Sequence, residues 1–311
     1  KEDLVPGWAN KWVFWIAPLL VLVPSFMIWV TIPFARNVVI RNLDLGLLYV
    51  VAVSVLSIVG MVMAGWGSAN KYAILGALRA APQLISYEIP LIMVALSVAM
   101  LAQSLDLQQI INAQVPGTDA GGAQWPHIPF AIAQPLGLFI FLTAGLAEVG
   151  RTPFDIYFAE SEVVGGPFVE YSGAHWAVFF LAEYMNTFAV AALTALLFLG
   201  GWHGPLLWPW LWFLVKTYFV ILLIFWIRGT FPRLRIDQLM AFAWKVLVPA
   251  SFLNILLTGF YLFYGWPVWS LTLMSLAVIL GIGYIMYRRQ TAPAVRAAAQ
   301  AYARRGGTYA G

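Results

Sequence analysis

The chain has 311 residues, of which 62% are apolar and only 10% charged, whereas a water-soluble domain carries about 25% charged residues. That composition excludes an ordinary soluble globular fold and predicts an all-α integral membrane protein, for which lipid removes the need for a polar exterior. The net charge of +4 is no sign of nucleic acid, because the basic residues gather at helix ends and in the tail, and the absence of cysteine excludes disulfides and cysteine-held iron–sulfur clusters or zinc.

An apolar window of about 20 residues predicts eight transmembrane helices in one polytopic domain over residues 1–291, with a basic tail over 292–311. The first spans fall at 13–34 and 45–65. The amphipathic run 66–82 begins as helix and leads into the third span, 83–103. A polar loop follows, with a short helix near 106–112. The fourth span is expected at 128–147. After the acid-rich loop 148–174 come spans at 175–199, 207–227, 240–263 and 266–287. Pro18, Pro135 and Pro249 fall inside spans, where neighbouring helices can satisfy the freed backbone groups. The last twenty residues, rich in Ala, Gly and Arg, read as a frayed tail.

Lys and Arg set the expected orientation. Lys71, Arg79, Arg151, Arg228, Arg233 and Arg235 lie in one set of loops, and only Arg36 and Arg41 in the other. Both ends of the chain and the loops at 66–82, 148–174 and 228–238 are therefore predicted to be cytoplasmic. Trp8, Trp12, Trp66, Trp202, Trp208, Trp210, Trp212 and Trp266 near span ends suit an interfacial belt.

Candidate chemistry lies in the charges that the lipid should exclude. Glu88, Glu183 and Lys216 fall inside predicted spans and Glu148 at a span end. Each costs roughly 2.5–3.5 kcal/mol at a helix centre. A carboxylate held in low dielectric can exchange protons, which gives a proton path; the competing reading is helix–helix contact or a side chain reaching for the interface. For Lys216 the two readings stand level. His127, His175 and His203 lack metal-ligand spacing and read as loop or helix-end residues. No glycine pattern for a dinucleotide follows a predicted strand.

The loop EVGRTPFDIYFAESEVVGGPFVEYSG carries Glu148, Asp155, Glu160, Glu162 and Glu170 against a single Arg151. Phe154, Tyr157, Phe158, Val163 and Phe168 interleave them, so the loop packs onto something rather than forming a solvated face. Thr152-Pro153 marks a bend and Gly165-Gly166 a tight turn. Arg151 is expected to order the loop by pairing with a carboxylate, and Asp155 lies four positions on.

RTPFD, AESE, VGG, EYSG and LAEY occur in that order. GWGSANKYAILGALRAAPQLISYE stands upstream, with FPRLRIDQLM and FAWKVLVP downstream. Together these motifs resemble the H-subunit family of NADH:quinone oxidoreductase, respiratory complex I, over residues 1–287. The resemblance implies a membrane heel beneath a peripheral arm, with cytoplasmic loops that help form a quinone chamber. It implies proton relay or coupling through Glu88, Glu148, Glu160, Glu162 and Glu183. It also implies chamber-side positions at Lys71, Arg79, Arg151, Asp155, Phe158, Glu170, Arg233, Arg235 and Asp237. No residue of the chain alone is expected to be catalytic, and no metal site is expected. Quinone is the implied substrate, with flavin and iron–sulfur clusters on partner subunits. The implied partners are the other membrane subunits and the quinone-site peripheral subunits, including the one bearing the terminal cluster, together with lipid; no nucleic acid is implied.

Two departures from the family pattern stand out. The resemblance implies one further transmembrane helix and an Arg/Gly-rich loop before Lys1, and the sequence is expected to be trimmed or partial there. Phe158 replaces an acid in the charged loop. Two other classes compete. A membrane anchor of a related hydrogenase-like or other quinone reductase would carry similar loops. A secondary ion transporter should show internal repeats, and the two halves here differ in loop length and charge placement.

Overall fold

The computed structural model describes residues 5–115, 128–156, 164–205 and 207–306, with backbone alone beyond residue 288. The regular structure among the described residues is helical, apart from one isolated bridge between Ala35 and Val38. The long helices are α1 (Lys11–Met27), α2 (Gly46–Gly67) and α3 (Lys71–Ala102). The short α4 (Leu107–Asn112), α5 (Phe130–Ala133) and α6 (Pro135–Glu148) follow. Then come α7 (Gly173–Phe198), α8 (Pro209–Thr230), α9 (Ile236–Phe242), α10 (Val248–Tyr264) and α11 (Val268–Gly306). A single π-helical turn, Ala243–Leu247, joins α9 to α10 into one span. By length and composition, seven spans among the described residues can cross a membrane.

The expected fourth span is the exception. It is divided into α5 and the 14-residue α6. Pro135 offers no amide hydrogen and pushes its predecessor out of the helical region. Gln134 accordingly takes φ −136°, ψ 66°. Broken backbone at membrane depth is tolerated only inside protein, and Gln134 is fully buried. Its Nε2 donates to Ser97 Oγ (3.1 Å) and Thr258 Oγ1 (2.9 Å), while Asn254 Nδ2 donates to Ser97 Oγ (2.9 Å). The break is thus tied to α3 and α10.

The amphipathic run and the third span form one helix of 32 residues. At 1.5 Å per residue it reaches about 48 Å, well beyond a hydrocarbon core of about 30 Å. Its first turns therefore project and can dock a loop. Asn70 caps the helix, its Oδ1 accepting from Tyr72 N at 3.0 Å. α3 is also the central element: 67% of its most apolar stretch is buried, against 17% in the span of α11.

Two sequence expectations need correction. Helix α11 runs on through Gly306, across most of the stretch read as a frayed tail; its alanine-rich sequence has high helix propensity. Trp202 is only 3% exposed and belongs to the core rather than an interfacial belt. Trp212 points its indole N–H at Pro205 O (2.7 Å), closing the α7–α8 connection. The short helix expected near 106–112 is α4, and Asp106 caps it, accepting from Gln108 N at 2.9 Å.

Candidate functional site

The loop after α6 is held from both sides. Gln83, buried in α3, donates from one Nε2 to Ala147 O (3.0 Å) and Phe154 O (2.8 Å). Leu234 N donates to Pro153 O (3.1 Å), which brings the segment after α8 onto the same bend. Phe154 packs between the Tyr87 and Phe242 rings, at 5.5 and 6.5 Å. The Thr152-Pro153 bond is cis. Further along, Gly165 and Gly166 have φ of 125° and 66°, the tight turn their pairing predicts. A Cβ on Gly76 of α3 would meet Gly166 Cα at 2.6 Å, so glycine there lets the projecting end of α3 seat the turn.

This clamp directs Arg151 at α7. Its Nη1 lies 3.1 Å from Glu183 Oε1, with the side chains 10% and 12% exposed. The guanidinium also lies over the Tyr184 ring, 4.7 Å from its centroid. The carboxylate partner thus comes from another element rather than from Asp155. The segment after α6 is not helical, so four positions along the chain do not bring these two side chains together on one face. Among the described residues, Arg151 Nε and Nη2 are buried without hydrogen-bond partners.

Arg151, Asp155, Glu183, Arg228 and Arg233 line a cavity of about 570 Å³ whose other wall is aromatic, with Phe168, Trp176, Phe179 and Phe180. That size and mixed lining suit an organic molecule with polar groups at one end. Two smaller cavities lie deeper. One of about 40 Å³ is lined by Glu183, Glu148, Asn186 and Ser57. The other, of about 30 Å³, is lined by Glu148, Asn186, Ser57 and Ser54 among apolar residues. Ser54 Oγ in turn donates to Glu88 Oε1 at 3.4 Å. Glu183 is within Coulomb range of Arg151, Asp155 and Arg228, and Glu148 of Glu88. Glu183 thus lines both the large cavity and the first inner one, Glu148 lines both inner ones, and Glu88 stands within Coulomb range of Glu148.

The other predicted residues fall elsewhere. Glu170 accepts a hydrogen bond from Asn70 Nδ2, which fastens the loop to the cap of α3. Burial pushes the neighbouring Tyr171 phenol upward in pKa. Lys71 sits 5.1 Å from the Tyr72 ring centroid, exposed beside that cap. Arg79 is half-buried on the projecting turns of α3. Arg235 is the exposed N-cap of α9, and Asp237 lies in its first turn, where a carboxylate suits the helix dipole. Glu170, Lys71, Arg79, Arg235 and Asp237 do not line the large cavity. Phe158, Glu160 and Glu162 lie outside the described residues. Among the described residues, no group of His, Asp or Glu could hold a metal ion.

Lys216 is a structural residue. Its Nζ donates to Leu199 O (2.7 Å) and His203 O (2.6 Å), so it closes the C-terminal end of α7. His203 belongs to the same corner, 3.4 Å from Asn112 Oδ1. Burial is the main cause lowering its pKa, with Lys216 and Arg36 adding to it. His175 packs edge-on to Trp15 at 4.4 Å, at the start of α7.

Sequence reasoning missed four residues. Arg228 entered the sequence reading only as a loop cation that sets orientation, yet it lines the large cavity. Asn186 stands three positions after Glu183, a helical neighbour spacing that could have flagged it. Gln83 and Ser57 carry no sequence signal, because polar but uncharged residues are common helix contacts in membranes.

Comparison with known proteins places this arrangement. The family model described as NADH dehydrogenase matches residues 1–259. The chain is 44% identical over 286 residues to the NADH-quinone oxidoreductase H subunit of Dehalococcoides mccartyi strain CBDB1, covering 92% of this chain and 78% of the relative. It is 50% identical over 263 residues to the corresponding H subunit of Geobacillus kaustophilus strain HTA426, covering 83% and 76%. Similarity extends to the protein named as the H 2 subunit of the same enzyme in Geobacter metallireducens, at 42% over 280 residues, covering 83% and 78%. With the family model matching residues 1–259 and these relatives covered to this extent, the chain belongs to the NADH-quinone oxidoreductase H-subunit family.

Proposed function

We propose that this chain is the membrane subunit through which an NADH-quinone oxidoreductase couples quinone reduction to proton translocation. It is a non-autonomous part of that enzyme. Flavin and iron–sulfur clusters reside on partner subunits, and peripheral subunits complete the quinone chamber. The Arg-rich end of the bundle faces the cytoplasm, as the distribution of Lys and Arg favours. The large cavity lined by Arg151, Asp155 and Arg233 forms one wall of the chamber, and its aromatic side suits the apolar part of a quinone.

One observation carries this reading: Glu183 lines both the large cavity and the first inner one, and Glu148 lines both inner ones. Reducing a quinone takes two electrons and two protons. Negative charge arriving in the chamber favours protonation of nearby carboxylates, and low dielectric strengthens that coupling. Glu183, Glu148 and Glu88 then carry the change inward. By the family resemblance, Glu160 and Glu162 belong to the same proposed series. The test replaces Glu183 with Gln in the assembled enzyme in proteoliposomes. Protons moved per quinone reduced should fall, and an unchanged ratio with intact assembly would reject the relay. Asp155→Asn tests the chamber wall: quinone reductase turnover should drop, and a normal rate would remove Asp155 from the site.

A further inference from the structure

The two inner cavities share Ser57, Glu148 and Asn186, so these three side chains form the partition between the Glu183 side and the Glu88 side. Glu148 is the titratable member. Ser57 has its hydroxyl proton engaged by its own helix, donating to Ser54 O at 2.6 Å. Asn186 differs from both: its Oδ1 is buried and meets no donor among the described residues. Buried polar atoms are rarely left without a partner, and water supplies one where space allows. The space is there, since cavities of about 30 and 40 Å³ exceed the roughly 10–15 Å³ that one water occupies on this measure.

We infer that Asn186 is the water-positioning residue of the partition, holding the water through which protons pass between the Glu183 side and the Glu148–Glu88 side. An amide suits this place because it offers both a donor and an acceptor and has no charge of its own to compete with Glu148. Its place on α7, three residues beyond Glu183, keeps the two in register. Asn186 is a positioning residue; it gives up no proton itself. This inference rests on the carboxylate relay described above.

The experiment uses the assembled enzyme in proteoliposomes and reads protons moved per quinone reduced. Asn186→Leu keeps the size but fills the partition with apolar surface, and the ratio should fall by about tenfold. Asn186→Ser restores a hydrogen-bonding group and should recover most of it. If Asn186→Leu does not assemble, the smaller Asn186→Val serves in its place. A normal ratio in the apolar variant while Glu183→Gln is defective overturns the inference and spares the relay. Equal loss in the Ser and apolar variants assigns Asn186 to packing and also overturns it. Normal pumping in Glu183→Gln overturns the relay itself and the inference with it.

Discussion

Two cations stand at opposite ends of the same pair of helices, and they have different fates. Lys216 directs its ammonium at the two backbone carbonyls of Leu199 and His203, closing the end of α7. Arg151 meets Glu183 with one nitrogen and leaves two others buried without partners, beside a large cavity. Both side chains carry a charge that is costly to bury without partners. The Lys216 corner accounts for its cation within the fold, whereas the Arg151 corner leaves hydrogen-bonding capacity facing a space that a ligand or partner can enter. What separates a structural charge from a working one here is whether its donors are already used.

The comparison can be broken most severely at Arg151. Arg151→Ala strands the Glu183 carboxylate, and breaking a buried pair from one side costs about 3–5 kcal/mol. The enzyme should assemble poorly, and whatever assembles should reduce quinone slowly; normal yield and turnover would contradict the role given to this pair. Lys216→Met is milder, removing two charge-assisted hydrogen bonds and about 2 kcal/mol of stability. A thermal scan should show a lower melting temperature, while the assembled fraction keeps its ratio of protons to quinone. A loss of coupling in that fraction would erase the distinction between the two ends.

The smallest effect is expected at His203, where burial and the nearby Lys216 and Arg36 hold the imidazole below its usual value of 6.5. Above that value the ring is neutral in folded and unfolded chains alike. As pH falls through 6.5 the unfolded chain takes up a proton first, so stability declines until the lower folded value is reached. His203→Gln should flatten the acid side of a melting-temperature profile; an unaltered profile would show that this ring does not titrate on unfolding.

Much of the fold was legible because lipid imposes a simple length rule, and spans such as Gly46–Gly67 and Gly173–Phe198 lie close to their predicted limits. The broken fourth span was not legible. Pro135 alone does not decide between a kink and a break, since Pro18 and Pro24 stay inside α1 and Pro82 and Pro90 inside α3. The difference is the fully buried Ser97–Gln134–Asn254–Thr258 network, which makes the break acceptable through side chains distant in sequence. At the site, Glu88 and Glu183 announced themselves as charges inside spans and Glu148 as one at a span end, while Arg151 and Asp155 stood out through the acid-rich loop and its motifs. Asn186, Gln83 and Ser57 did not, because an uncharged polar residue in a span looks the same whether it holds a neighbour helix or faces a cavity. Glu170 and Lys71, expected on the chamber side from the resemblance, fasten and flank the cap of α3.

The most direct measurement is an infrared difference spectrum of the assembled enzyme, taken between its oxidised and quinol-reduced states. A protonation change at Glu148 should appear as a carboxyl band that is missing in Glu148→Gln. Identical difference spectra from the two enzymes would mean that reducing the quinone leaves Glu148 unchanged, and coupling through these carboxylates would have to be abandoned.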